Sequence, residues 1–327
     1  MQSTNFRRNH MLLTDYFRST PDLTWDIALS CGVTHGTIRL PEDAAFDVTS
    51  AAHLHTVCER FRARGITPVI VEPLPNELHD HIKMGDAMRD ECIEKFIVLM
   101  KNLAAEGIHT VCFNFMAHYG WTRTANNLPE RGDAAVTGFD LAEFSPDETV
   151  LTHDQMWKYY EYFVKAAVPY AEKFGVKLAL HPDDPPLANL GGVARIFTSL
   201  DAIKRGMAVM DSSNLGVTFC QACYRLMGER LEDAIPALRD KIFFIHFRNV
   251  CGDKTCFRET FHDNGEIDMA AAMRLYVENG VDVPIRVDHV PTMPWEQSDV
   301  AGYDAIGRLF AIGYLKGIIE GVEHGNL

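Results

Sequence analysis

The sequence predicts a (β/α)8 TIM barrel filling one domain over residues 1–327. Short β-branched runs alternate with longer stretches of helical periodicity. Several helical stretches close with a glycine just before the next run ("ARGI", "AEGI", "KFGV", "ENGV"), the mark of a left-handed helix cap. No G-x-G-x-x-G follows the early strands, and no linker, low-complexity tract or charge block divides the chain, which disfavours a doubly wound sheet or a second domain.

In chain order, the first strand is expected at 11–17, where the pattern is weakest. The others are expected at 37–40, 66–72, 110–116, 177–181, 215–220, 242–247 and 284–288. Helical spacing occupies 90–106, 154–174, 199–210 and 269–279. The longest irregular piece, 117–152, is expected to be one extended loop over the barrel mouth. The apolar stretch 306–322 carries Arg308, Lys316 and Glu320, so it reads as a buried amphipathic helix rather than a membrane span.

Lys and Arg number 31 against 45 Asp and Glu, a formal charge of -14, which argues against nucleic acid or an anionic membrane as the partner. A small anionic substrate remains open through a locally positive site. Arg7, Arg8 and His10 precede no long apolar run, so a cytoplasmic location is expected. The eight cysteines are scattered, as reduced thiols are.

In a barrel the chemistry sits at the carboxyl ends of the strands. Those ends are Glu72, Asn114, His181, Cys220, His246 with Arg248, and Arg286 with Asp288 and His289. Four successive late strands thus end in His, Cys, His and Asp. One such residue is ordinary core chemistry; four at equivalent positions indicate a divalent-metal site. In "LALHPDDPP", His181 closes a strand as a ligand, and Pro182 to Pro186 form a stiff loop beside it. Asp183 and Asp184 suit either turn chemistry or a substrate contact. Cys220 also opens a C-x-x-C with Cys223, for which a redox pair is the weaker reading, and Cys251 and Cys256 fall after the seventh strand with no assigned role.

At these positions the chain resembles the mannonate dehydratase family, metal-dependent barrels related to the xylose isomerases. The similarity lies in "IKMGDAMRD", "NLAAEGIHTVCFNFM", "WTRT", "LALHPDDPP", "HFRNV", "FHDNGEIDM" and "RVDH". The resemblance implies metal ligation by His181, Cys220, His246 and Asp288 with Mn²⁺ or Fe²⁺, while the thiolate leaves Zn²⁺ or Co²⁺ open. It also implies catalysis by Arg286, Asp288 and Tyr303 of "AGYDA", and substrate contacts from His262, Asn114 and Arg123. Glu72 joins the substrate contacts as a strand end. Arg286 is expected to grip a sugar-acid carboxylate bidentately, and Tyr303 to move a proton if the metal or Arg286 lowers its pKa. The expected reaction is dehydration of D-mannonate to 2-keto-3-deoxy-D-gluconate in a homo-oligomer. Leu187 stands where the family usually has an aromatic residue, "CQAC" replaces a Thr-Gly-rich turn, and the family's first strand is not recognisable. Leu187 and the unrecognised first strand favour the alternative, a sugar isomerase or epimerase on the same barrel.

Overall fold

The computed structural model describes residues 11–297 and 300–325; Arg7, Arg8 and His10 lie outside them. The strands, in chain order, are β1 Leu13–Phe17, β2 His35–Ile38, β3 Thr67–Val71, β4 Thr110–Asn114, β5 Ala125–Pro129, β6 Ala135–Asp140, β7 Lys177–His181, β8 Asn189–Leu190, β9 Val193–Ala194, β10 Leu215–Cys220, β11 Ile242–Phe247, β12 Val250–Asp253, β13 Cys256–Glu259 and β14 Ile285–Val287. Eight of them close a barrel in the order β1-β14-β11-β10-β7-β4-β3-β2, every pair parallel. All eight expected strands are present. The weakly patterned first one pairs with both β14 and β2.

The glycine signal has a backbone cause. Gly65, Gly107, Gly175 and Gly280 have φ between 67° and 79°, and a Cβ at any of them would meet nothing within 4 Å. They are needed for the left-handed turn that brings each helix back to the barrel, not for space. The helix Ala305–Glu323 covers the 306–322 segment. Its Arg308 is buried and pairs with buried Asp15 of β1, which ties the end of the chain to its first strand. Among the described residues no helix is long and apolar enough to cross a membrane.

The stretch 117–152 is not one loop. It contains β5 and β6, which pair antiparallel and join β13 and β12 into a four-stranded sheet, β12-β13-β6-β5. A further bridge joins Ala135 to Thr292. β5 carried no strand signal because "ANNLP" is mostly polar and largely exposed, without apolar alternation. This sheet carries residues from the seventh barrel excursion to the barrel mouth. Cys251 lies on β12 and Cys256 on β13.

Register, more than sequence distance, builds the site. Asn114 pairs with His181, Cys220 with His246, and His246 with Arg286, so the strand ends line up around one rim. Below them Ile70, Cys112 and Phe244 form a small buried cluster that floors the barrel interior.

Gly216 of β10 sets the approach of the next strand. A Cβ there would lie 2.3 Å from the Lys241 carbonyl oxygen and 2.4 Å from the Phe243 ring. Gly216→Ala is therefore expected to destabilise the protein by about 1–3 kcal/mol through overpacking. Chemical denaturation checks this, and an unchanged midpoint would show that the neighbouring strand gives way freely.

Candidate metal centre and its cavity

A cavity of roughly 410 Å³ opens at the carboxyl ends of the strands. Its walls include Tyr16, Arg39, Glu72, Asn114, Trp121, His181, His246, Arg286, Asp288, His289 and Tyr303. The two-residue period of a strand explains the set. Ile70 and Glu72, Cys112 and Asn114, Phe244 and His246, and Arg286 and Asp288 each sit two apart, the first of each pair deeper than the second.

Donor atoms of Cys220, His246 and Asp288 lie within 4.8 Å of one another, as do those of His181, Cys220 and Cys223. The His181 and His246 rings are 5.0 Å apart. His246 is buried, and neither of its ring nitrogens has a hydrogen-bond partner, although Nε2 lies 3.0 Å from Glu72 Oε1 and Nδ1 3.6 Å from Asp288 Oδ2. A buried imidazole whose nitrogens face carboxylates without a well-aligned hydrogen bond, beside a thiol, suits a metal ligand, because the coordinate bond would satisfy a group that otherwise costs free energy. His181 donates from Nδ1 to the Pro182 carbonyl at 2.7 Å, leaving Nε2 as the nitrogen for a ligand.

Electrostatics prepare the same donors. Burial would raise the Cys220 thiol, but a hydrogen bond from Cys223 and the Arg248 charge hold it well below the usual thiol range. Burial would lower His181, yet Cys220, followed by Asp288 and Glu72, brings it to about 9. A metal entering between these two must release a proton. Asp288 is held low against burial by His289, Arg286, His246 and Arg248.

A buried charge network stands behind this layer. Arg248 donates from Nη1 to both Glu259 oxygens at 2.7 Å, from Nη2 to Asp184 Oδ2 at 2.7 Å, and from Nε to Cys220 Sγ at 3.3 Å. That Nε also lies 3.0 Å from Asp288 Oδ2. Arg123 donates to both Asp184 oxygens, at 2.7 and 2.9 Å, and to Glu259 at 2.5 Å. Glu259 also accepts from His289 Nδ1 at 3.0 Å.

Four sequence expectations need correction. Arg123, expected at the substrate, has a side chain only 1% exposed and committed to Asp184 and Glu259. His262 is fully buried; its Nε2 donates to the Phe247 carbonyl at 2.8 Å, and burial lowers it to about 4, so it braces the strand end instead of facing the cavity. Arg286 reaches the cavity, but Nε donates to Glu72 at 3.0 Å and Nη1 to Asp288 at 2.8 Å and to the Val287 carbonyl at 3.0 Å. A bidentate grip that needs those nitrogens is not on offer. Glu72 likewise has both oxygens engaged: Oε1 with His246 and the Cys112 thiol, 3.4 Å away, and Oε2 with Arg286. Asp184 is an anchor for two arginines, and Asp183 accepts from the Phe197 amide at 2.7 Å. Asn114 lines the cavity with its amide oxygen taken by the Met116 N–H at 3.0 Å.

Tyr303 lines the cavity with its ring 5.1 Å from Tyr16 and edge-on to His289 at 5.3 Å. Burial, reinforced by Asp288 and opposed by Arg286, pushes its hydroxyl up rather than down. Sequence reasoning placed His289 at a strand end without giving it a task. Its partner Glu259 carried no sequence signal, because it arrives on the β13 excursion.

A family model described as D-mannonate dehydratase (UxuA) matches residues 26–153 and 147–326. A mannonate dehydratase of Streptococcus agalactiae is 34% identical over 314 residues, covering 86% of this chain and 89% of the relative. The crystal structure of mannonate dehydratase from Streptococcus suis superposes with a TM-score of 0.89 at 26% identity, covering 97% of this chain and 95% of that one. D-psicose 3-epimerase from Clostridium cellulolyticum, at TM-score 0.63 and 12% identity over 94% of this chain and 98% of that one, shares the fold.

Glu72 gives the site a pH signature. Burial would raise its carboxyl, but Arg286 and His246 bring it from 4.5 to about 2. A depressed folded-state value stabilises the fold above the unfolded value, and that contribution is lost as pH falls through the folded one. The stability advantage of wild type over Glu72→Gln should therefore be full above about pH 5 and shrink steadily between about 4.5 and 2. Denaturant midpoints measured across that window test it; a gap independent of pH would contradict the assignment.

Proposed function

The chain belongs to the D-mannonate dehydratase family, and from that premise we propose that it is a metal-dependent hydro-lyase that converts D-mannonate to 2-keto-3-deoxy-D-gluconate. The observation that carries this reading is the meeting, in one cavity, of a cluster of possible metal ligands, a carboxylate-held imidazole and a half-buried phenol. His181, Cys220, His246 and Asp288 would hold the ion. Their mixed nitrogen, sulfur and oxygen donors accommodate Mn²⁺ or Fe²⁺, the ions expected here. When bound, the ion supplies Lewis-acid neutralisation of the charge that develops on the substrate carboxylate as the neighbouring proton leaves.

The protein's own groups handle the protons. His289, with Nδ1–H held by Glu259, keeps its Nε2 lone pair for the proton beside the carboxylate, an arrangement suited to a general base. Tyr303, kept protonated by burial, gives its proton to the departing hydroxide. This reverses the expectation of a lowered phenol and makes Tyr303 an acid from the outset. Arg286 acts by holding Glu72 and Asp288 in place. Asn114, its oxygen already occupied, offers its amide N–H₂ to a substrate hydroxyl.

Incubating the manganese-loaded protein with a panel of aldonates tests the assignment. A 2-keto-3-deoxy acid from mannonate is expected. An epimerised or isomerised sugar with no loss of water would overturn the dehydratase reading.

Tyr303→Phe keeps the ring against Tyr16 and His289 and deletes only the acid. Turnover should fall on the order of 10²-fold or more with an unchanged melting temperature. Near-normal kcat would assign the proton to another donor.

A further inference from the structure

Cys223 is a buried thiol beside the site to which the proposed reaction gives no task. Its Sγ, the Cys220 Sγ and a ring nitrogen of His181 lie within 4.8 Å of one another. Two ligands on opposite sides of a zinc-sized ion are separated by roughly 4.6 Å at most, so a small side-chain adjustment closes this triangle around one ion. The His181 nitrogen is already committed: Nδ1–H is held by the Pro182 carbonyl, which leaves Nε2 as the donor. Arg248 donates to both sulfurs, at 3.3 Å to Cys220 and 3.4 Å to Cys223, so one guanidinium sits against the negative charge that two thiolates would bring.

The two donor clusters share Cys220 and differ in character. One completes its shell with an imidazole and a carboxylate; the other adds a second sulfur. Thiolate ligands favour Zn²⁺ and softer ions, whereas carboxylate-containing shells suit Mn²⁺.

We propose that His181, Cys220 and Cys223 form a second, sulfur-rich metal position that takes a thiophilic divalent ion such as Zn²⁺ or Cd²⁺ and, by occupying His181 and Cys220, excludes the catalytic ion. The proposal rests on the reading that those two residues also serve the catalytic metal. Zinc then binds in a place that lacks Asp288, and the zinc-loaded protein carries metal without turnover.

X-ray absorption at the metal edge, on the full chain loaded separately with Mn²⁺ and with Zn²⁺, counts sulfur neighbours directly. Two sulfurs around zinc and one around manganese are expected. In Cys223→Ser, and equally in Cys223→Ala, which cannot ligate, zinc should keep one sulfur. The preference for zinc over manganese, measured by chelator competition, should drop on the order of 10-fold or more. One sulfur around zinc in the wild type overturns this proposal alone. Manganese bound with no sulfur removes the shared ligand and overturns the catalytic shell along with it.

Discussion

The site depends on one buried guanidinium. Arg248 contacts Asp184 after β7, Cys220 at the end of β10, Glu259 of β13 and Asp288 after β14, and its side chain is fully buried. Carboxylates and a low-pKa thiol taken out of water are costly unless each meets a compensating charge with good geometry. A planar fork with five donors can meet several such groups at once, which a point ammonium cannot. Because those groups come from distant parts of the chain, Arg248 also fixes where the excursion strands meet the barrel.

The remaining order follows from strand geometry. Parallel register brings the last inward residue of each strand to one rim, and on three of the strands the two-residue period places Ile70, Cys112 or Phe244 one step below it. The acidic overall charge does not conflict with an anionic substrate. Arg286 at the rim and Arg248 behind it already neutralise the carboxylates facing the cavity, leaving an entering ion to set the local sign.

What could be read from the sequence was whatever depends on period and position. Seven strands announced themselves through β-branched runs, four of them behind a closing glycine, while the first was only weakly patterned; His181, Cys220, His246 and Asp288 stood out through their places at strand ends. The second layer was not legible. Arg123 and His262 looked like substrate contacts because nothing in "WTRT" or "FHDNG" reveals that Glu259 and the Phe247 carbonyl wait for them. Glu259 is supplied by a sheet assembled from two separate excursions, whose β5 strand has no apolar alternation, and the Phe247 carbonyl by the end of β11. Arg286 was placed correctly at the rim, but its geometry is spent on Glu72 and Asp288, which a strand-end argument cannot foresee.

The central claim is that Arg248 organises the proposed metal ligands, and Arg248→Lys tests it most directly. Lysine keeps the charge and the chain's volume class but cannot span Asp184, Glu259, Cys220 and Asp288 together. Manganese affinity measured by titration against a competing chelator should weaken roughly 10–100-fold, as for loss of a group that orients ligands, while the circular dichroism of the barrel is retained. Wild-type affinity in a folded Arg248→Lys protein would contradict the account.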